Sequence, residues 1–284
     1  MIDPMKLSEM KQILAQGNIQ LTKSLGQNFL HDANQLRRIA AAAEISPRDP
    51  VLEIGPGLGP LTELLVTEAR EVLAIEKDAR LASFFRQRFS SAANLTLVHE
   101  DALDYLGRQP EAWADWKLVA NLPYSVASRL LVELASAATG PRLMVATLQL
   151  EVARRLVASP RDEDYGVLTL LVQLQYEPEG MFKIPASCFF PEPDVDSACV
   201  KLVRRSKPLL TSEQARVFRQ IVKRSFSQRR KMMLKLLKQD WPREALESAF
   251  TRAGIPADIR AEAVSLEGFV SLTRSLSGNA KSKP

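Results

Sequence analysis

Val51-Leu-Glu-Ile-Gly-Pro-Gly-Leu-Gly-Pro-Leu-Thr62 is the stretch that decides the fold. The aliphatic run 51–54 gives way to three glycines, and helical spacing follows over 61–69. That is how a buried strand turning into a helix reads. The alternation repeats outward from it, with apolar runs at 72–75, 95–98, 118–120 and 143–148 and helical patterns at 79–89 and 127–138. It predicts an α/β Rossmann-like domain, a mostly parallel sheet with helices on both faces. Ligands of such sheets bind beyond the carboxyl ends of the strands, so the residues that follow each strand are the first candidates for chemistry.

The pattern changes downstream. A helix is expected over 167–175, then strands at 182–184 and 198–203 around the turn Phe189-Phe-Pro-Glu-Pro-Asp194. Ser206-Lys-Pro208 breaks the chain, and the periodicity then predicts helices at 212–225, 231–238, 243–253 and 266–276, with a frayed tail from 278. Two domains are expected, 1–206 and a smaller all-helical 207–284. Their charges differ: residues 201–284 hold 19 Lys and Arg against 7 Asp and Glu, whereas residues 1–200 hold 19 against 26. Nine basic and no acidic residues lie between Glu213 and Asp240, Arg224, Arg229, Arg230 and Lys231 among them. A one-signed run on an otherwise acidic chain points to a polyanion partner.

The glycine loop lets backbone approach a ligand closely, although a tight turn alone would also explain it. Its G-x-G-x-G spacing differs from the dinucleotide fingerprint. Glu76 follows the second strand, where a carboxylate can accept ribose hydroxyls. Asp101, with Ala102 beside it, follows the third, within reach of an adenine amino group. Gly55, Gly57, Glu76, Asp101 and Ala102 together describe an adenosine pocket. The fourth strand ends in Asn121-Leu-Pro-Tyr124. An exocyclic adenine amine is a poor nucleophile, and acceptors for both of its hydrogens would help, here the Asn121 carbonyl and a backbone carbonyl near Leu122. Pro123 fixes the turn, and Tyr124 offers a face for stacking. This motif makes S-adenosylmethionine (AdoMet) the expected cofactor and positioning the main source of rate. An adenine in a duplex cannot reach such a pocket, so the target must be looped or flipped out. Phe189 and Phe190 are candidates for the second face of an aromatic sandwich or, equally simply, for the core.

Taken in order, the motifs resemble those of the bacterial small-subunit ribosomal RNA adenine dimethyltransferases (KsgA type). They are Lys23-Ser-Leu-Gly-Gln-Asn-Phe-Leu30, the glycine loop, Asn121-Leu-Pro-Tyr124, Tyr165-Gly166, Phe189-Phe-Pro-Glu-Pro-Asp-Val-Asp-Ser197, Ser225-Phe-Ser-Gln-Arg-Arg-Lys231 and Arg260-Ala-Glu262. The resemblance spans residues 17–277. It implies dimethylation at N6 of two adjacent adenosines in a hairpin loop near the 3′ end of small-subunit rRNA, with a partly assembled subunit as acceptor. It also implies that Asn28 and Leu30 touch the methionine part of the cofactor, Gly55 contacts it through backbone, Glu76 takes the ribose and Asp101 the adenine. Asn121 would then sit at the reacting centre, Tyr124 and Phe189 would bracket the target base, and the basic 216–238 helices would grip rRNA phosphate. Two positions depart from the family pattern: Ser125 where Asn is frequent, and Phe190 where a small residue is.

Apolar residues at 46% and charged residues at 25% fit a packed protein. No apolar run is long enough for a membrane helix, and the first residues lack a signal core, so a cytoplasmic, monomeric enzyme is expected. Two cysteines and two widely separated histidines give no metal site. The alternatives left open are a large-subunit rRNA adenine dimethyltransferase of the antibiotic-resistance type and an rRNA-binding assembly factor with incidental catalysis. A DNA adenine methyltransferase fits the acceptor motif less well.

Overall fold

A computed structural model of the chain describes residues 5–16, 27–108, 113–228 and 230–278. The elements run α1 (Leu7–Gln16), β1 (Phe29–Leu30), α2 (Ala33–Ala42), β2 (Pro50–Ile54), α3 (Thr62–Glu68), β3 (Glu71–Glu76), α4 (Ala79–Arg88), β4 (Leu95–His99), α5 (Ala102–Arg108), β5 (Lys117–Asn121), α6 (Ala127–Ser136), β6 (Leu143–Gln149) and α7 (Leu150–Val157). They continue with α8 (Val167–Gln173), β7 (Tyr176–Ile184), β8 (Phe189–Phe190), β9 (Ser197–Arg204), α9 (Ser212–Ser225), α10 (Met233–Leu237), α11 (Arg243–Arg252) and α12 (Leu266–Leu276). Every run expected as a strand is one. The helix expected over 231–238 is shorter, at Met233–Leu237.

Seven strands form one sheet in the order β4-β3-β2-β5-β6-β9-β7. The five from β4 to β6 are parallel, and β9 returns antiparallel beside β6, pairing from Leu143↔Val203 to Gln149↔Ser197. The order reverses at β2, so β2 and β5 flank the switch point where such sheets bind ligands. Residues of β2 are buried throughout, as a central parallel strand covered on both faces requires. Asp32 and Asp78 start α2 and α4 by accepting from the Gln35 and Arg80 amides, the side-chain capping that makes Asp favourable there.

The amino end of the sheet is held by ion pairing. Lys117 is buried, and its Nζ donates to the carbonyls of Ala43 and Glu44 at 2.9 and 2.5 Å and pairs with Asp49 at 3.0 Å. It thereby closes the carboxyl end of α2, whose last carbonyls have no helical partner. Asp49 also accepts from the Ser46 amide and hydroxyl and pairs with Arg142. Burial alone would raise its pKa, but Lys117 and Ser46 outweigh that and hold it at about 2.

The chain divides into two units, and not at a single point. One comprises residues up to Ala153 together with Glu177–Arg204; the other comprises Arg154–Tyr176 and the chain from Arg205 onward. This corrects the expected division at 206, because residues 154–176 go with the helical unit. Their partners explain it. Helix α8 packs on α9, the Tyr165 hydroxyl donates to the Val264 carbonyl at 2.8 Å, and the Arg161 amide donates to the Glu262 carbonyl at 2.8 Å. Within this unit Phe218 and Phe226 each pack on the Phe269 ring, and Tyr165 meets Phe226 edge-on. Tyr165-Gly166 and Arg260-Ala-Glu262 are therefore seams of the helical unit's own core. Among the described residues no helix is long and apolar enough to cross a membrane.

Candidate active site

The first strand-to-helix turn adopts backbone that few side chains tolerate. Gly55 and Gly57 have φ of +68° and +59°, and a Cβ on Gly57 would lie 2.5 Å from the Phe29 ring. The turn is tied to the neighbouring strand: the Gly55 amide donates to the Ile75 carbonyl at 2.9 Å, and the Gly57 amide to Glu76 Oε2 at 3.2 Å. The other oxygen of Glu76 accepts from the Asp78 amide at 2.8 Å. Glu76 is 6% exposed, and burial raises its pKa against the pull of those amides. A second carboxyl, Glu53, lies on the adjacent strand. It is buried, accepts from the Thr62 hydroxyl at 2.7 Å and is pushed up to about 8 by burial and by the nearby Glu76 charge.

Asp101, at the start of α5, accepts from the Leu103 amide at 2.8 Å and pairs with Lys77 at 2.7 Å. The Lys77 hydrogen bond holds its carboxyl below the usual range. A cleft of about 280 Å³ joins these groups, lined by Asn28, Leu30, Gly55, Gly57, Glu76, Asp101, Ala102, Asn121 and Leu122, with Glu53, Lys77 and Glu100. Its volume falls near the lower end of small-molecule sites. Among the described residues four carboxyls face one ammonium there, which makes the cleft hostile to a pyrophosphate. The Gly57 amide, which a phosphate would need, is already given to a carboxylate. A ligand that carries positive charge and ribose hydroxyls suits this lining, and AdoMet has both.

Asn121 closes β5 at the mouth of the switch point. Its Nδ2 donates to the Asn28 carbonyl at 2.9 Å, which fixes the orientation of the amide. Its Oδ1 is buried without a hydrogen-bond partner among the described residues, and a buried acceptor left unmade costs about 1–3 kcal/mol. The next amide, of Leu122, donates to the Thr147 carbonyl at 3.0 Å. Tyr124 is half-buried, does not line this cleft and shares a 2.5 Å hydrogen bond with the Ser197 hydroxyl.

Phe189 is placed otherwise than expected. Antiparallel pairing of β1 with β8 sets Phe189 opposite Leu30 and Phe190 opposite Phe29. Neighbouring strand residues point to opposite faces, and Phe189 takes the inner one, 2% exposed in a cluster with Leu30, Leu36 and Ile184. Phe190 lies on the other side against Met10, Leu14 and Phe29, with Lys11 Nζ 5.2 Å from its ring centre. The ring expected to bracket a base is a core residue here.

The basic candidates separate in the same way. Arg224 is committed to structure: Nε and Nη2 contact the buried Asp240 at 2.5 and 3.2 Å, a two-pronged pair. Arg229 lies outside the described residues. Arg230 and Lys231 are exposed and, with Lys235, line a depression of about 300 Å³ in the helical unit. Sequence reasoning overlooked three residues at the cleft and beside it. Glu53 was legible as a carboxyl inside an apolar strand, whereas Lys77 and Ser197 acquire partners only through pairing across the sheet.

The profile of the ribosomal RNA adenine dimethylase family matches residues 18–277. The chain is 40% identical over 276 residues to a ribosomal RNA small subunit methyltransferase A of Geobacillus thermodenitrificans, covering 94% of each. It is 40% identical over 266 residues to the protein of that name from Clostridium botulinum, covering 93% of this chain and 96% of the other. Among solved structures it is similar to the 23S rRNA methyltransferase ErmE, with 31% identity, TM-score 0.66 and coverage of 87% and 99%. It is also similar to a dimethyladenosine transferase from Plasmodium falciparum, with 25% identity, TM-score 0.72 and coverage of 89% and 99%.

Proposed function

We propose, for a chain that belongs to the ribosomal RNA adenine dimethylase family, that it dimethylates N6 of two adjacent adenosines in a hairpin loop near the 3′ end of small-subunit rRNA. AdoMet is the methyl donor. The small-subunit assignment rests on relatives 40% identical over more than nine-tenths of the chain that carry that name, against 31% for the large-subunit enzyme.

The observation that carries the chemical reading is the Oδ1 of Asn121, buried without a partner among the described residues. When bound, AdoMet would supply an electrophilic methyl on a sulfonium, with a neutral thioether as the leaving group. Glu76 would take the ribose hydroxyls and Asp101 the adenine amino group; Asn28 and Leu30 would touch the methionine end, and Gly55 would contact it through its backbone. Asn121 Oδ1 accepts one N6 hydrogen of the target, and a backbone carbonyl at Leu122 accepts the other. The nitrogen lone pair is then freed from the ring and aimed at the methyl. Tyr124 stacks the extruded base. No strong base is needed, since the proton departs after transfer, and rate comes mainly from positioning. Exposed Arg230 and Lys231 contact rRNA phosphate in a partly assembled subunit, and the enzyme acts as a monomer.

Transfer of labelled methyl from AdoMet to isolated, under-methylated subunits tests this, with product nucleosides separated by chromatography. Dimethyladenosine at two neighbouring small-subunit positions is the expected product. Label confined to large-subunit RNA would move the acceptor to the other subunit.

A further inference from the structure

We infer that Ser197 is a positioning residue for the acceptor: its hydroxyl holds the ring of Tyr124 at the angle from which the target adenine is stacked. This rests on the role proposed for Tyr124. The two hydroxyls lie 2.5 Å apart although 73 residues separate them in sequence. Ser197 is fully buried and opens β9, the strand that runs against the direction of the parallel ones. Because of that reversal the amino end of β9 arrives where the parallel strands end, and Ser197 pairs with Gln149, two residues beyond the Thr147 that pairs with Asn121. A single antiparallel strand thereby brings a hydroxyl from late in the unit to the acceptor turn.

The residue before it is tied down on three sides. Asp196 accepts from the Ala186 amide at 3.0 Å, pairs with Lys183 at 2.6 Å and, through its carbonyl, accepts from the Leu150 amide at 3.0 Å. Ser197 is thus a fixed post. Tyr124 stands on the turn after β5, where the Val126 and Ala127 amides both donate to the Pro123 carbonyl, at 3.1 and 3.0 Å. That fixes the backbone but leaves the phenol ring free to pivot about its side-chain torsions. The Ser197 bond restrains that pivot, and the Asp-Val-Asp-Ser197 end of the Pro-rich segment acquires a function that Phe189, in the core, does not supply.

The test is a double-mutant cycle read by single-turnover methylation of under-methylated small subunits. Ser197→Ala and Tyr124→Phe should each slow transfer about fivefold, equivalent to ~1 kcal/mol, with AdoMet affinity unchanged and stability lowered by no more than the loss of one buried hydrogen bond. The double variant should be no slower than either single one, because both act through one bond. Wild-type rate in Ser197→Ala, or losses that multiply in the double variant, would overturn the inference. Ring-labelled tyrosine NMR supplies a readout independent of the acceptor. The Tyr124 resonance, assigned with Tyr124→Phe, should move and sharpen in Ser197→Ala as the ring gains motion, and an unchanged resonance would also overturn it. If wild-type enzyme transfers no methyl to small subunits, the acceptor reading fails, while the resonance still decides whether Ser197 restrains the ring.

Discussion

Two carboxyls four residues apart, one just before β2 and one within it, meet opposite fates. Asp49, just before β2, is buried against Lys117 and held at about 2. Glu53, four residues on, is buried more deeply, has only the Thr62 hydroxyl as a hydrogen-bond partner among the described residues and is pushed up to about 8. The amino end of the sheet neutralises its charges internally, as a part that serves stability must, since an unpaired buried charge is costly. The carboxyl end gathers Glu53, Glu76, Glu100 and Asp101 against Lys77 and leaves Asn121 Oδ1 without a partner among the described residues. A buried acceptor left incomplete where four carboxyls gather marks where a ligand can complete it.

The contrast can be broken most sharply at Lys117. Lys117→Ala removes the buried partner of Asp49, leaving Arg142 and Ser46, and the donor to the Ala43 and Glu44 carbonyls just past α2, and should lower unfolding stability by ~3 kcal/mol in urea titrations. AdoMet affinity of the folded fraction should be unaffected. At the other end Glu76→Ala should do the reverse. Loss of a charged acceptor for ribose, worth ~2 kcal/mol, should weaken AdoMet about thirtyfold by calorimetry while the protein stays folded. Unchanged affinity would remove Glu76 from the cofactor site.

The two ends should also respond to pH with opposite sign. The depressed pKa of Asp49 gives stability that is present above about pH 4 and lost as pH falls toward 2. The raised pKa of Glu53 means that unfolding releases a proton, so stability falls as pH rises from about 4.5 toward 8. Asp49→Asn should flatten the acid limb, and Glu53→Gln the upper one, by on the order of 1–2 kcal/mol at pH 8 in the absence of AdoMet. An upper limb identical to wild type in Glu53→Gln would show that Glu53 is ionised in the free enzyme. The smallest effect belongs to the helical unit. Arg230→Ala with Lys231→Ala should reduce the slope of log affinity for rRNA against log salt by about 1–2, near 0.7–0.9 for each phosphate no longer neutralised. Arg224→Ala should instead destabilise the unit, since Asp240 would lose its partner.

Much of this was legible in the sequence, and the limits have physical causes. The parallel strands announce themselves because buried strands need continuous aliphatic runs. Gly55, Gly57, Glu76, Asp101 and Asn121 are found because the fold rule points to strand ends, and all of them line one cleft. Phe189 could not be assigned a face, because inward and outward positions in a two-residue strand depend on register with Phe29–Leu30, which no local pattern encodes. Arg224 reads like its neighbours in a basic run until Asp240 folds against it. Residues 154–176 read as part of the first domain because the division falls inside α7, with no proline or glycine to mark it.

Asn121→Ala is the most direct measurement, with AdoMet affinity by calorimetry and single-turnover transfer to under-methylated small subunits determined on the same preparation. If the Asn121 carbonyl takes a hydrogen of the target amine, transfer falls at least about 100-fold, ~2.7 kcal/mol of transition-state stabilisation, while AdoMet affinity changes far less. Equal losses in the two would make Asn121 a cofactor ligand alone, and transfer near the wild-type rate would contradict an acceptor site at the end of β5.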